Sequence, residues 1–372
     1  MELQAKKKSF WGTFKNAYLR QKNLKKFWIK LDKTNLPKEL IETFNLYLKS
    51  ESYNWSSKFW RHLIMLHMDL IASDKYKNYE NIMALSYFTW TEIDENLVKD
   101  FCSNMQNKKI NLNVNLFKKQ NNLNYLGSIN HNLILLLMYE NIKSKKIFKY
   151  LDRLKKLKNR SSVNEHSLSI DGLEVSQDDL NSLMEYEKIE ILLDKLETNK
   201  NKFLEIGVGS GRTAKTILSI NDKAKYVIAD LPPAINVSLR NLKVSFPDKK
   251  IAKAFEINDQ QDLNSAFEKN DVLFVFPHQI KLFQKKTFDL SIAINCLHEM
   301  DKKTIKNYML NFEKISKSIY IKVWETAGLP YSFFQYYSVH KKEDYFINDH
   351  WKEHFKERCT YPSKFFELGY EF

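Results

Sequence analysis

A chain of 372 residues, 43% of them hydrophobic, is long enough for two domains and too apolar to be disordered. Its formal charge of +14 points towards an anionic partner, but the excess is lysine. Arginine, whose planar fork grips phosphate in two places, occurs only seven times and in no stripe, so nucleic acid is not expected as a partner.

The chain begins with an unusual run. Between Lys6 and Lys30 there are nine basic residues and no acidic one. Phe10, Phe14, Ala17, Leu24, Trp28 and Leu31 fall near one helical face. Such a helix either lies on an anionic membrane or a partner, or packs on the protein with its lysines in water. Helical spacing recurs in Leu40-Ile41-x-x-Phe44-x-x-Tyr47-Leu48, in Phe59-Trp60-x-x-Leu63-Ile64-x-x-His67 and around Leu133 to Met138. These side chains are expected in the core, and none of the runs is long enough to span a bilayer. Ser161 to Gly172 is polar and turn-rich and reads as a boundary or loop. Ser176-Gln-Asp-Asp179 then reads as a helix cap, opening a helix to about Leu196. Residues 1–196 are therefore expected as a helical N-terminal domain. Cys102, Cys296 and Cys359 form no C-x-x-C pair, which fits a reducing, cytoplasmic setting without structural disulfides.

From residue 197 the pattern changes to alternating strands and helices. Strands are expected near 203–207, 226–230, 288–295 and 318–324, with one more at 272–276 or, alternatively, 251–257. The expected fold class is α/β: a Rossmann-like, mostly parallel sheet with helices on both faces. Phe203-Leu-Glu-Ile-Gly-Val-Gly-Ser-Gly-Arg-Thr213 reads as a buried strand, a glycine turn and a helix start. Gly207, Gly209 and Gly211 let the backbone turn and approach a ligand closely. The spacing is not G-x-G-x-x-G, because Arg212 fills the place of the last glycine. Glu205 would repel a pyrophosphate and suits a cationic ligand. Asp230, closing the next strand, can accept hydrogen bonds from ribose hydroxyls. The pattern E-x-G-x-G-x-G resembles motif I of the class I methyltransferases, which implies S-adenosylmethionine (SAM) as the cofactor.

Reactants bind at the carboxyl ends of strands in such sheets. Asn295-Cys-Leu-His298-Glu299-Met300 follows the fourth strand. Asn295 is the candidate for further cofactor contact, and His298 and Glu299 are the candidate bases for a hydroxyl proton. No Asp/Asn-Pro-Pro-aromatic sequence stands there, which disfavours an amine substrate. His350-x-x-x-His354 has the spacing of one helix face, but no third ligand stands out and no metal is expected. Pro330-Tyr-Ser-Phe-Phe-Gln-Tyr-Tyr337 is dense in aromatics suited to sugar faces or to core packing.

Asp230-Leu-Pro-Pro-Ala234, Phe246-Pro247, Phe276-Pro-His-Gln279, Phe288-Asp-Leu290 with Asn295, Glu299-Met300 and Tyr320-Ile-Lys-Val-Trp324 together resemble the bacterial sugar O-methyltransferase family, over roughly residues 200–325. The resemblance implies methyl transfer from SAM to a sugar hydroxyl, on a surface glycan or its precursor. Glu299 and Met300 match it better than His298. The basic N-terminus would then serve glycan assembly or the inner face of the membrane. Other acceptors (a small metabolite, a lipid or a protein) and a non-catalytic SAM-binding subunit share the same motifs.

Overall fold

The structure, a computed structural model, describes residues 24–73, 129–157, 167–196, 201–332, 335–361 and 365–372. Helices α1 (Leu24–Lys30), α2 (Lys38–Lys49), α3 (Ser52–Trp55), α4 (Lys58–Ala72), α5 (Ile129–Lys143) and α6 (Leu151–Lys156) come first. A hairpin of β1 (Ser167–Ile170) and β2 (Leu173–Ser176) leads into α7 (Gln177–Lys195). The hairpin turns at Asp171 and Gly172, both at positive φ, within the segment expected as a loop. The expected cap of α7 is present: the Ser176 hydroxyl accepts from the Asp179 backbone N–H, and the Asp179 carboxylate accepts from the Ser176 N–H.

The remaining chain builds the sheet. Its elements are β3 (Lys202–Ile206), α8 (Arg212–Ile220), β4 (Lys225–Ala229), α9 (Ala234–Ser245), β5 (Ile251–Lys253), α10 (Gln260–Lys269), β6 (Val272–Val275), β7 (Phe288–Ile294), α11 (Lys302–Ile315) and β8 (Ser316–Trp324). Two hairpin partners, β9 (Ala327–Ser332) and β10 (Gln335–His340), precede β11 (Lys352–Arg358) and β12 (Phe365–Glu371). The sheet order is β11-β12-β8-β7-β3-β4-β6-β5. Neighbours from β5 through to β8 pair parallel, and β12 lies antiparallel between β8 and β11. This is the expected α/β Rossmann-like class. Both candidates for the uncertain strand are strands: β6 lies beside β4, and the short β5 takes the edge.

Strand alternation divides the core into two layers. Phe203, Tyr226 and Ile228 point to the face covered by α7, α8 and α9, and that layer runs on without a break into Leu40 and Phe44 of α2. Leu204, Ile206, Val227 and Ala229 point to the other face, against Leu263 and Phe267 of α10 and Ile305 and Phe312 of α11. Leu24, Phe27 and Trp28 of α1 are buried in the first layer, and the Trp28 indole donates to Asn45 Oδ1 at 2.7 Å. Two members of the proposed docking face, Leu24 and Trp28, are thus core anchors; Phe10, Phe14 and Ala17 lie outside the described residues. No helix among the described residues is long and apolar enough to cross a membrane.

One buried ionic cluster ties three elements together. Glu185 of α7, fully buried, accepts two bonds from the Arg212 guanidinium at 2.5 and 2.9 Å and one from Lys322 Nζ of β8 at 3.0 Å. Burial alone would raise the Glu185 pKa; the two cations overcome it and hold the carboxyl below its ordinary range.

The C-terminal strands carry no pattern that the sequence reading detects. β11 (Lys-Glu-His-Phe-Lys-Glu-Arg) is a charged edge strand, which protects a free edge from further pairing. It also corrects the expectation of a helix at His350 and His354. His350 precedes the strand and meets Glu313, whereas His354 lies in the strand and meets Glu371. No group of three metal-ligating side chains occurs among the described residues.

Replacing Glu185 by Ala leaves two cations without their shared carboxylate. Urea unfolding should show a loss of about 3–5 kcal/mol, the scale of a broken buried pair. Glu268→Ala, which removes a partner of the solvent-facing Lys202, should cost about 1 kcal/mol or less. Equal losses in the two variants would deny the cluster its structural weight.

Candidate functional site

The crevice forms where connections leave β3 and β7 in opposite directions, at their carboxyl ends. The loop after β3 is held by its backbone. Gly207 has φ +63, and a Cβ added there would lie 2.4 Å from Cys296 Cβ, so only glycine fits. Gly209 and Gly211 also sit at positive φ, and Gly211 is the residue that caps α8. The Gly209 N–H donates to the Asp230 carboxylate at 3.1 Å, and the Leu231 N–H donates to its other oxygen at 2.7 Å. Asp230 therefore fastens the glycine loop to the end of β4, a role the sequence reading did not assign. A carboxylate has lone pairs left for further donors.

A cavity of about 270 Å³ opens over this crevice. Glu205, Gly207, Gly209, Asp230, Asn295, His298 and Glu299 all line it, whereas Gly211 lies just outside. Glu205 accepts a hydrogen bond from the Tyr226 hydroxyl at 2.7 Å. Burial pushes its pKa up to about 8, against smaller lowering effects of Tyr226 and Arg212. Burial likewise pushes Asp230 up to about 7, opposed by the backbone N–H groups it accepts. Asn295 has φ +57, its N–H donates to the Lys322 carbonyl at 2.8 Å, and its buried Oδ1 has no partner among the described residues.

His298 is 8% exposed, its ring set against Trp324 and Phe365, and its Nδ1 also lacks a partner among the described residues. Burial, with a smaller contribution from His340, lowers its pKa to about 3. The imidazole is therefore neutral at pH 7, well below the near-neutral value that a free histidine offers. Its Nε2 stands 4.0 Å from Glu299 Oε1.

The N-terminal part supplies the other side of the cavity with Trp55, Ser56, Ser57 and Trp60. Trp60, expected in the core, packs partly buried against it, and its indole N–H also donates to Glu299 Oε2 at 3.1 Å. The local signal was Ser57, which caps α4 by accepting from the Trp60 N–H and so fixes where the helix starts. The aromatic-rich segment from Pro330 to Tyr337 falls on the β9–β10 hairpin, apart from residues 333 and 334, which are not among those described.

The charge of the lining is distinctive. Glu205, Asp230 and Glu299 face the cavity with a single lysine or arginine among the described residues, Arg212, whose guanidinium is engaged by Glu185. A pyrophosphate would meet carboxylates there; a cationic ligand with hydroxyls and amino groups fits the donors and acceptors present.

No family model matches the chain, and no curated protein matches it. Among solved structures, the chain is similar to the pyocyanin biosynthetic protein PhzM, at 14% identity and a TM-score of 0.33 over 52% of this chain and 55% of that one. It thus spans little more than half the length of PhzM. The mitomycin 7-O-methyltransferase MmcR is 8% identical, with a TM-score of 0.31 over 63% of this chain and 71% of its own. An S-adenosylmethionine-dependent methyltransferase from Clostridium acetobutylicum is 10% identical, with a TM-score of 0.32 over 51% and 89%.

Glu205 gives the site a measurable signature. Its folded pKa lies above that of a free carboxyl, so the stability held by the protonated form is complete below about pH 4.5 and is lost as pH rises through about 8. Glu205→Gln removes that titration and keeps an acceptor for Tyr226. Its melting temperature should exceed that of the wild type by a margin that grows between pH 6 and pH 9. A margin independent of pH would refute the buried, proton-holding carboxyl.

Proposed function

We propose that the chain is a SAM-dependent O-methyltransferase acting on a sugar hydroxyl. The observation that carries the reading is the joining, in one cavity, of a glycine loop at a strand's carboxyl end with Glu205, Asp230 and the unpartnered Asn295 Oδ1. When bound, SAM supplies an electrophilic methyl on a sulfonium. Glu205, as it gives up its proton, offers a negative charge to its cationic part, and Asp230 offers acceptors to ribose hydroxyls.

The acceptor is assigned to the aromatic part of the lining, Trp55, Trp60, Trp324 and Phe365. Aromatic faces pack against the C–H faces of a sugar. The hydroxyl loses its proton as its oxygen takes the methyl. Glu299 is assigned to take that proton, because an imidazole held near pKa 3 gains little from protonation. His298, neutral and buried, is assigned to orient the hydroxyl through its open ring nitrogen. The same aromatic walls accept a phenol, which makes a small aromatic metabolite the second reading.

The test has two stages. Calorimetry should show SAM binding that weakens about tenfold to a hundredfold in Asp230→Ala, the loss of charge-assisted bonds worth about 1.5–3 kcal/mol. Affinity should also rise with pH between 6 and 8.5, as Asp230 and Glu205 lose their protons. Unchanged affinity in Asp230→Ala would remove the site assignment. Labelled methyl transfer from SAM is then measured on nucleoside-diphosphate sugars and on phenols. Transfer to sugars supports the reading, and transfer to phenols alone replaces it with the second. Glu299→Ala should lower turnover about 10²–10⁴-fold while keeping SAM affinity.

A further inference from the structure

We propose that Trp60 is a positioning residue: from the N-terminal helical part it fixes the orientation of the Glu299 carboxylate. The proposal rests on the reading of Glu299 as the group that takes the acceptor's proton. Two hydrogen bonds carry it, both reaching one residue from a segment some 240 positions earlier in the chain. The indole Nε1 of Trp60 donates to Glu299 Oε2 at 3.1 Å, and the Ser57 hydroxyl donates to the Glu299 carbonyl at 3.0 Å. An indole N–H is a donor only, so it selects a carboxylate oxygen and cannot turn about. With Oε2 held, Oε1 is the oxygen that faces His298 Nε2, at 4.0 Å.

The geometry behind this is a helix cap used twice. The Ser57 Oγ accepts from the Trp60 backbone N–H, 3.1 Å away, and donates to the Glu299 carbonyl. The cap thereby sets the first turn of α4 against residue 299, and Trp60, three positions on, meets the carboxylate. The segment before it is held independently. The Ser52 hydroxyl accepts from the His278 backbone N–H at 2.9 Å and meets His278 Nδ1 at 2.8 Å, and Ser56 accepts from Tyr47 at 2.8 Å. A carboxylate that is aimed before the acceptor arrives need not reorganise during transfer.

Trp60→Phe keeps an aromatic ring in the wall and removes only the donor. In protein with ¹⁵N-labelled tryptophan, the Trp60 indole resonance is the one lost in Trp60→Phe. Glu299→Gln should shift it and leave the other six in place. Trp60→Phe should also lower kcat about tenfold, leave the SAM dissociation constant within about twofold, and change the pH profile of kcat. Trp60→His, which restores a ring N–H, should recover part of kcat. An indole resonance unmoved by Glu299→Gln overturns the proposal, and so does an unchanged kcat and pH profile in Trp60→Phe. A wild type that binds no SAM, or transfers to no acceptor, defeats the functional reading instead, and the indole resonance then decides by itself whether Trp60 holds Glu299.

Discussion

The structure depends on where Glu185 sits. It is a carboxylate without access to water, reached by Arg212 and Lys322, and neither cation could be buried without it. Arg212 is the first residue of α8, so the pair defines where the glycine loop must end. Lys322 belongs to β8, and its own carbonyl receives the Asn295 N–H. The loops after β3 and after β7 are therefore both referenced to one side chain on α7. The cluster also decides the chemistry of the cavity. By engaging Arg212, Glu185 draws that guanidinium's charge away from the cavity, whose lining otherwise holds carboxyls and neutral groups.

The sequence made the strands and the glycine-loop end of the cavity readable because both are local. A strand, a turn that only glycine can make and a helix follow one another within eleven residues, and an acid closes the next strand. The cap at Ser176 is equally local, and it forms as read. What depends on distant partners was not readable. Glu185 and Lys322 are 137 positions apart and meet only once α7 is laid across the sheet. Trp60 lies on a helical stripe, where core packing is the natural expectation; nothing in the stripe says that the indole faces a carboxylate from the other half of the chain. Charged β11 hides for another reason: a solvated edge strand needs no apolar alternation. The spacing of His350 and His354 is helical by coincidence, and the pairing of β11 with β12 overrides it.

Burial acts in the same sense on three ionisable groups of the cavity. It raises Glu205 and Asp230 and lowers His298, so each is biased towards its neutral form. These groups cannot stabilise one another, because two are acids and the third is held uncharged. They are held instead by hydrogen bonds from backbone amides and neutral side chains, several of them in the cavity wall itself. Asp230 is fixed by backbone amides, Glu205 by Tyr226, Asn295 by β8, and Glu299 by the cap of α4. Holding such groups neutral spares the fold the cost of buried, unpaired charge, and the same low polarity strengthens any charge interaction made there relative to water. The helical part is then more than a cover. It supplies Glu185 to Arg212 at the end of the glycine loop and Ser57 and Trp60 to Glu299, so a chain cut after α7 would lose the references for both ends of the site.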